Sequence, residues 1–92
     1  MIIDPITLEV MDHRLQSIAE EMEIALLKSS FSIIVKEGRD CAAALFNSQG
    51  QTIAQAISVP IHLGALMESL PQILREFPVD QMQEGDVYLA ND

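Results

Sequence analysis

Arg39 and Asp40 stand at the mouth of an apolar run, Cys41-Ala42-Ala43-Ala44-Leu45-Phe46, and Lys36, Glu37 and Gly38 lead into it. The run is too short for a helix and reads as a buried strand. Side chains at the entrance of such a strand can converge on a cleft, and a carboxylate there can be held for a metal ion or a reacting group. The plainer alternative stays open, since charged neighbours at a strand end are usually solvated. Cys41 begins the apolar run, where a thiol more often packs than reacts. Near the other end of the chain, Val87-Tyr88-Leu89-Ala90 leads into Asn91-Asp92. That places two polar groups just past a short strand, where cleft-lining residues often sit. Neither GxGxxG nor GxxxxGK[ST] occurs, nor HExxH, nor a Cys/His cluster at metal-ligand spacing. These residues alone therefore give no reaction.

What must position them is small. Ninety-two residues allow one domain with a modest core. Hydrophobic residues make up 49%, so the composition is that of a folded chain. With three Phe, one Tyr and no Trp, aliphatic side chains and methionine must fill the core. A formal charge of −9 argues against nucleic acid, which demands clustered Lys and Arg, and against anionic membrane surfaces. One cysteine cannot form an internal disulfide and fits a reducing compartment. No apolar run is long enough to span a bilayer, and the acidic start lacks a signal peptide's basic flank. The expectation is a soluble, cytoplasmic protein.

Asp4 as N-cap and Pro5 at the first helical position predict a long first helix ending near Lys28. Its apolar stripe is Leu8, Met11, Leu15, Ile18, Met22 and Ala25, expected to pack on a sheet or on a copy of itself. His13 has no partner at helical spacing and reads as a surface residue. Phe31 to Val35 reads as a short strand or an extended connection. Cys41–Phe46 and Gln51–Ala56 around Asn47-Ser48-Gln49-Gly50 predict a β-hairpin, with Gly50 supplying a positive φ. In its second arm Ile53, Gln55 and Ile57 form the larger, more apolar face. Leu63, Leu66, Met67, Leu70, Ile73, Leu74 and Phe77 mark a second helix, and Pro71 within it predicts either a kink or two short helices. Gly85-Asp86 then turns into a C-terminal strand over 87–90. The fold class is α+β: long helix, hairpin, kinked helix, strand.

Five ordered blocks carry a resemblance: Asp4–Val10 (DPITLEV), Glu37–Phe46 (EGRDCAAALF), Gln49–Ala56 (QGQTIAQA), Val59–Gly64 (VPIHLG) and Gly85–Asp92 (GDVYLAND). Together they resemble the N-terminus of the hydantoinase B/oxoprolinase family. That family includes N-methylhydantoinase B subunits, the matching half of 5-oxoprolinase, and acetone and acetophenone carboxylase subunits. Its members are several times longer and continue past Asn-Asp into a segment like Pro-x-x-Gly-Gly-Thr-His-x-x-Asp. The resemblance thus implies that residues 1–92 form a single small domain, the N-terminal fragment of a longer chain.

It also implies a site. Asp40 would be a metal ligand, with Arg39 beside it fixing or neutralising charge, and Asp92 a lesser ligand at the entrance with Asn91. His62 would orient substrate or support the ligands; alternatively, it hydrogen-bonds at the start of the second helix. Lys36 and Glu37 are weaker candidates and read as solvated. One carboxylate is too few for zinc or manganese, which take three or four protein ligands. For the complete enzyme the resemblance implies a divalent metal, zinc or manganese, and a hydantoinase A-type partner that binds ATP and phosphorylates the substrate. The reaction would be hydrolysis of cyclic amides, such as 5-oxoproline and hydantoins, or carboxylation of ketones. This fragment by itself is expected to hold no cofactor and to be inactive. A rival expectation is a free-standing interaction module, a homo-oligomer that buries its helix stripes against its own copy.

Overall fold

The computed structural model describes residues 4–57 and 61–91. Helix α1 spans Pro5–Ser29, a short helix α2 spans Ile33–Lys36, strands β1 (Ala42–Phe46) and β2 (Thr52–Ile57) form a hairpin, and α3 spans Ile61–Glu76. A single 3-10 turn, Val79–Gln81, follows. The α+β class holds. Asp4 caps α1 as its composition predicts: its Oδ1 accepts from the Ile6 amide at 3.2 Å, and Pro5 fills the first turn.

The hairpin pairs Ala42 with Ile57 through Leu45 with Ala54, then shifts register so that Phe46 faces Thr52. The shift leaves Ile53 as an extra residue on β2, a β-bulge. At the tip, Asn47 Oδ1 accepts from the amides of Gln49 and Gln51, and Gly50 takes φ +82° as expected. Gly50 also lets α3 approach, because a Cβ there would lie 3.2 Å from Leu74 Cδ1.

The core is built from small residues. Ala19 of α1, fully buried, meets Ala54 and Ala56 of β2, with Leu15 and Leu45 packed at its edge. The face of β2 that packs inward is the small one, Ala54 and Ala56, while Ile53 of the larger face stays exposed. Alanines let the helix backbone lie close on the sheet, which the larger face would prevent. Likewise α1 turns the line Leu15–Ala19–Glu23 toward the hairpin, and leaves Leu8, Met11, Ile18 and Met22 of the expected stripe exposed.

Helix α3 runs through Pro71 as one helix, as the first of the two forms expected there, and does not break into two. Two further local readings differ from the structure. Ile33–Lys36 forms a helical turn instead of a strand or an extended connection, with Phe31, Ile33 and Ile34 exposed. The C-terminal strand predicted over 87–90 does not form: among the described residues the sheet has two strands only. This segment is held instead by side chains. Asp86 Oδ2 accepts from the Gln83 amide and the Tyr88 hydroxyl, and the Tyr88 ring lies 4.7 Å from that of Phe77.

Burial pushes the Tyr88 phenol above its ordinary pKa, and the hydrogen bond and charge of Asp86 push the same way. The neutral phenol is the form the fold favours. Its contribution is complete below the ordinary value near 10 and is lost as pH rises through the raised one. An absorbance titration of this single tyrosine should find a midpoint above that of a free phenol, and Asp86→Asn should lower it. An unchanged midpoint in Asp86→Asn would remove Asp86 as a cause.

Candidate functional site

Two of the sequence-selected side chains meet. His62 Nε2 lies 2.6 Å from Asp40 Oδ1, although the residues are 22 apart in sequence. Both are partly open to solvent, with 31% of the imidazole and 45% of the carboxylate side chain exposed. Asp40 sits one residue before the buried Cys41 at the mouth of β1, and His62 lies in the first turn of α3. The hairpin tip packs under Leu70 and Leu74, further along the same helix. Helix α3 is thereby laid along the hairpin with its start at the strand mouth, and this brings the imidazole to the carboxylate.

The turn carrying Asp40 is tightly determined. Helix α2 ends with Glu37 and Gly38 amides donating to Ile33 O. Gly38 is required by space: a Cβ on it would lie 2.6 Å from the Ile34 carbonyl oxygen. Arg39 then takes a left-handed backbone, φ +55°, alone among the described non-glycine residues. The Asp40 amide donates to Ile34 O, and the Cys41 amide donates to Arg39 O at 2.9 Å, closing a three-residue turn centred on Asp40.

Arg39 pairs with the first helix. Its Nη2 pairs with Glu23 Oε1 at 3.3 Å; Glu23 belongs to the inward line of α1 and is 7% exposed. Glu23 stands outside the apolar stripe expected for α1 and was not singled out from the sequence. The available signal was its spacing, four residues beyond Ala19 and eight beyond Leu15. Cys41 is buried, and burial first, then the Glu23 carboxylate, push its thiol above the ordinary range against the pull of Arg39. It stays protonated and is packing, as its apolar setting suggests. Lys36 and Glu37 are exposed. Asn91 is not at the Asp40 mouth: it lines an open cleft of about 430 Å³ with Ser69, Gln72, Arg75 and Glu76, along the second half of α3. The ligand reading for Asp92 and the block residues Val59 and Pro60 lie outside the described residues.

The Asp40–His62 pair has defined chemical capacities. An ionised carboxylate only accepts, so Nε2 carries the proton and, in a neutral ring, Nδ1 keeps the lone pair. A carboxylate has two oxygens, so Asp40 can hold the imidazole with Oδ1 and present Oδ2 to a cation. The donor types suit zinc or manganese. Their number does not suffice, because no group of three or more His, Cys, Asp or Glu could hold a metal among the described residues.

Residues 4–92 match the family described as hydantoinase B/oxoprolinase. The chain is similar to 5-oxoprolinase of Dictyostelium discoideum, 36% identical over 89 residues, which is 97% of this chain and 7% of that protein. It is similar to 5-oxoprolinase of Saccharomyces cerevisiae, 38% identical over 89 residues, again 97% of this chain and 7% of that protein. Caprolactamase subunit beta of Pseudomonas jessenii is 37% identical over 90 residues, 98% of this chain and 15% of that subunit. The chain therefore spans only a small part of each of these relatives. No solved structure matches it significantly.

Proposed function

Because the chain belongs to the hydantoinase B/oxoprolinase family, we propose that it supplies the Asp40 corner of a metal-assisted centre for hydrolysis of cyclic amides. The observation that supports this reading is the 2.6 Å contact between Asp40 and His62, from two separate sequence blocks that both lie within the family match. Asp40 would hold a zinc or manganese ion, with further donors from Asp92 and from residues of a longer subunit. When bound, such an ion activates water or polarises a carbonyl oxygen.

The chain's own residues have narrower tasks. His62 fixes the rotamer of Asp40 by donating from Nε2, in the way that hydrogen-bond partners commonly orient metal-binding carboxylates. With Nε2 donating, Nδ1 of the neutral ring is left as an acceptor. Arg39 acts on the backbone turn rather than on substrate. ATP dependence belongs to the same proposal, with a hydantoinase A-type partner that phosphorylates the amide oxygen. A relative named as a beta subunit is in keeping with such a partner. Ketone carboxylation is the variant of this chemistry that carboxylase members would use. The cytoplasm is the proposed location; among the described residues no helix is long and apolar enough to cross a membrane.

The test is a chimera in which residues 4–92 replace the matching stretch of caprolactamase subunit beta. We expect lactam hydrolysis that depends on the partner subunit, ATP and a divalent metal, and no hydrolysis of 5-oxoproline or a hydantoin by the 92-residue chain alone. A folded chimera without activity, or an active isolated chain, would overturn the proposal.

The exposed stripe Leu8, Met11, Ile18 and Met22 favours a second reading, a module that pairs with its own copy. Sedimentation equilibrium should then find a dimer that Met11→Glu dissociates. A monomer at all concentrations excludes that reading.

A further inference from the structure

We propose that Glu23 is a positioning residue of this site: through Arg39 it holds the left-handed turn that aims Asp40 at His62. The inference rests on the reading of Asp40 and His62 as the site. Glu23 stands in an unexpected place. Leu15, Ala19 and Glu23 follow one another at four-residue steps along the face of α1 that meets the hairpin. An apolar residue at the third position would serve packing. Instead a carboxylate is 7% exposed there, and a charge so placed is costly unless paired.

One of its partners is Arg39, whose guanidinium meets Glu23 Oε1 at 3.3 Å. Arg39 is also the non-glycine residue with a positive φ, +55°, immediately before Asp40. A side chain that disfavours this conformation occupies it while tethered to a buried carboxylate on another element. Such outliers persist where surroundings over-determine them, and they cluster at working sites. The links run in sequence: Glu23 on α1 to the Arg39 guanidinium, the left-handed Arg39 backbone to the turn on Asp40, and Asp40 Oδ1 to His62 Nε2 at 2.6 Å. A plain surface ion pair would add little here, because 55% of the arginine side chain is exposed. The pair's use lies in where it puts the turn.

The experiment is solution NMR on the 92-residue chain at fixed pH, with two readouts. One is the strong intraresidue amide-to-α-proton NOE of Arg39 that a positive φ produces. The other is the set of ring ¹⁵N shifts of His62. Asp40→Ala first locates the His62 shifts without the carboxylate. Glu23→Gln and Arg39→Gln should each weaken the Arg39 NOE and move the His62 shifts most of the way to those values. The double variant should move them no further, since both act along one path. Leu15→Ala, which loosens α1 on the hairpin without touching the pair, should lower the melting temperature and leave both signals in place. If Glu23→Gln and Arg39→Gln lower stability only, as Leu15→Ala does, Glu23 is structural and the inference is wrong. Arg39→Gln, at a mostly exposed side chain, keeps this outcome readable if Glu23→Gln does not fold. If Asp40→Ala itself leaves His62 unmoved, the failure lies with the site reading instead.

Discussion

Asp40→Ala in the chimera should cost far more turnover than His62→Ala, which should leave an enzyme slowed but working. The difference in size follows from what each side chain would touch. On the proposed reading, removing the carboxylate would take a negative ligand from a cation whose help with developing charge is worth several kcal/mol. At about 1.4 kcal/mol per tenfold in rate, a loss of ~4 kcal/mol is on the order of a thousandfold. Removing the imidazole leaves the ligand in place and frees only its rotamer, a loss on the order of 10- to 100-fold for a residue that orients a ligand. Metal content should follow the same order, with Asp40→Ala largely depleted by dialysis and His62→Ala retaining most of its ion at saturating supply. The measurement is steady-state rate with metal analysis on the same samples. Equal losses for the two variants, with metal retained in both, would point elsewhere. The pair would then work as an imidazole base oriented by a carboxylate, with Nδ1 taking the proton.

The parts of this fold that were legible in the sequence are those set by local chemistry. Asp4 and Pro5 start a helix because the cap and the missing amide act on the first turn alone. The Asn47–Gly50 loop makes a hairpin because a short side chain and a positive φ decide it locally. Asp40 and His62 could be singled out by type and by resemblance, but not their contact, which depends on the tip of the hairpin catching α3 at Leu70 and Leu74. What was misread depends on which neighbour is present. The stripe on α1 satisfies a helical period, yet the hairpin takes the smaller Leu15–Ala19–Glu23 line because alanines on both sides allow close approach. Val87 and Leu89 alternate with Tyr88 as in a strand and are highly exposed, with no third strand beside them among the described residues. A period reports a preference for burial and does not name the partner. Glu23 escaped notice because a carboxylate on an acidic helix looks solvated until the turn at Arg39 is known.

Gly38→Ala should destabilise the chain more than any other single methyl addition at its glycines, and it should do so by moving Asp40. The three other glycines differ. Gly85, at φ +90°, has open space around it, so alanine there meets backbone strain alone. Gly50 combines φ +82° with Leu74 Cδ1 at 3.2 Å, a flexible side-chain end that can give way. Gly64 lies within α3 with nothing within 4 Å, so alanine should stabilise by about 0.5–1 kcal/mol through helix propensity. At Gly38 the added carbon would meet the Ile34 carbonyl oxygen at 2.6 Å. That oxygen is backbone, and it also accepts from the Asp40 amide, so it can yield only by shifting the turn. Overpacking of this kind costs about 1–3 kcal/mol, a large share of the stability of a small domain whose buried core is mostly alanine. Urea unfolding of Gly38→Ala and Gly64→Ala should therefore move in opposite directions from the parent midpoint. At denaturant concentrations where Gly38→Ala is still folded, its His62 ring shifts should already differ from the parent's. A stable Gly38→Ala chain with parental His62 shifts would mean that the turn tolerates a side chain at Gly38, and that the geometry at Asp40 is not set by that close approach.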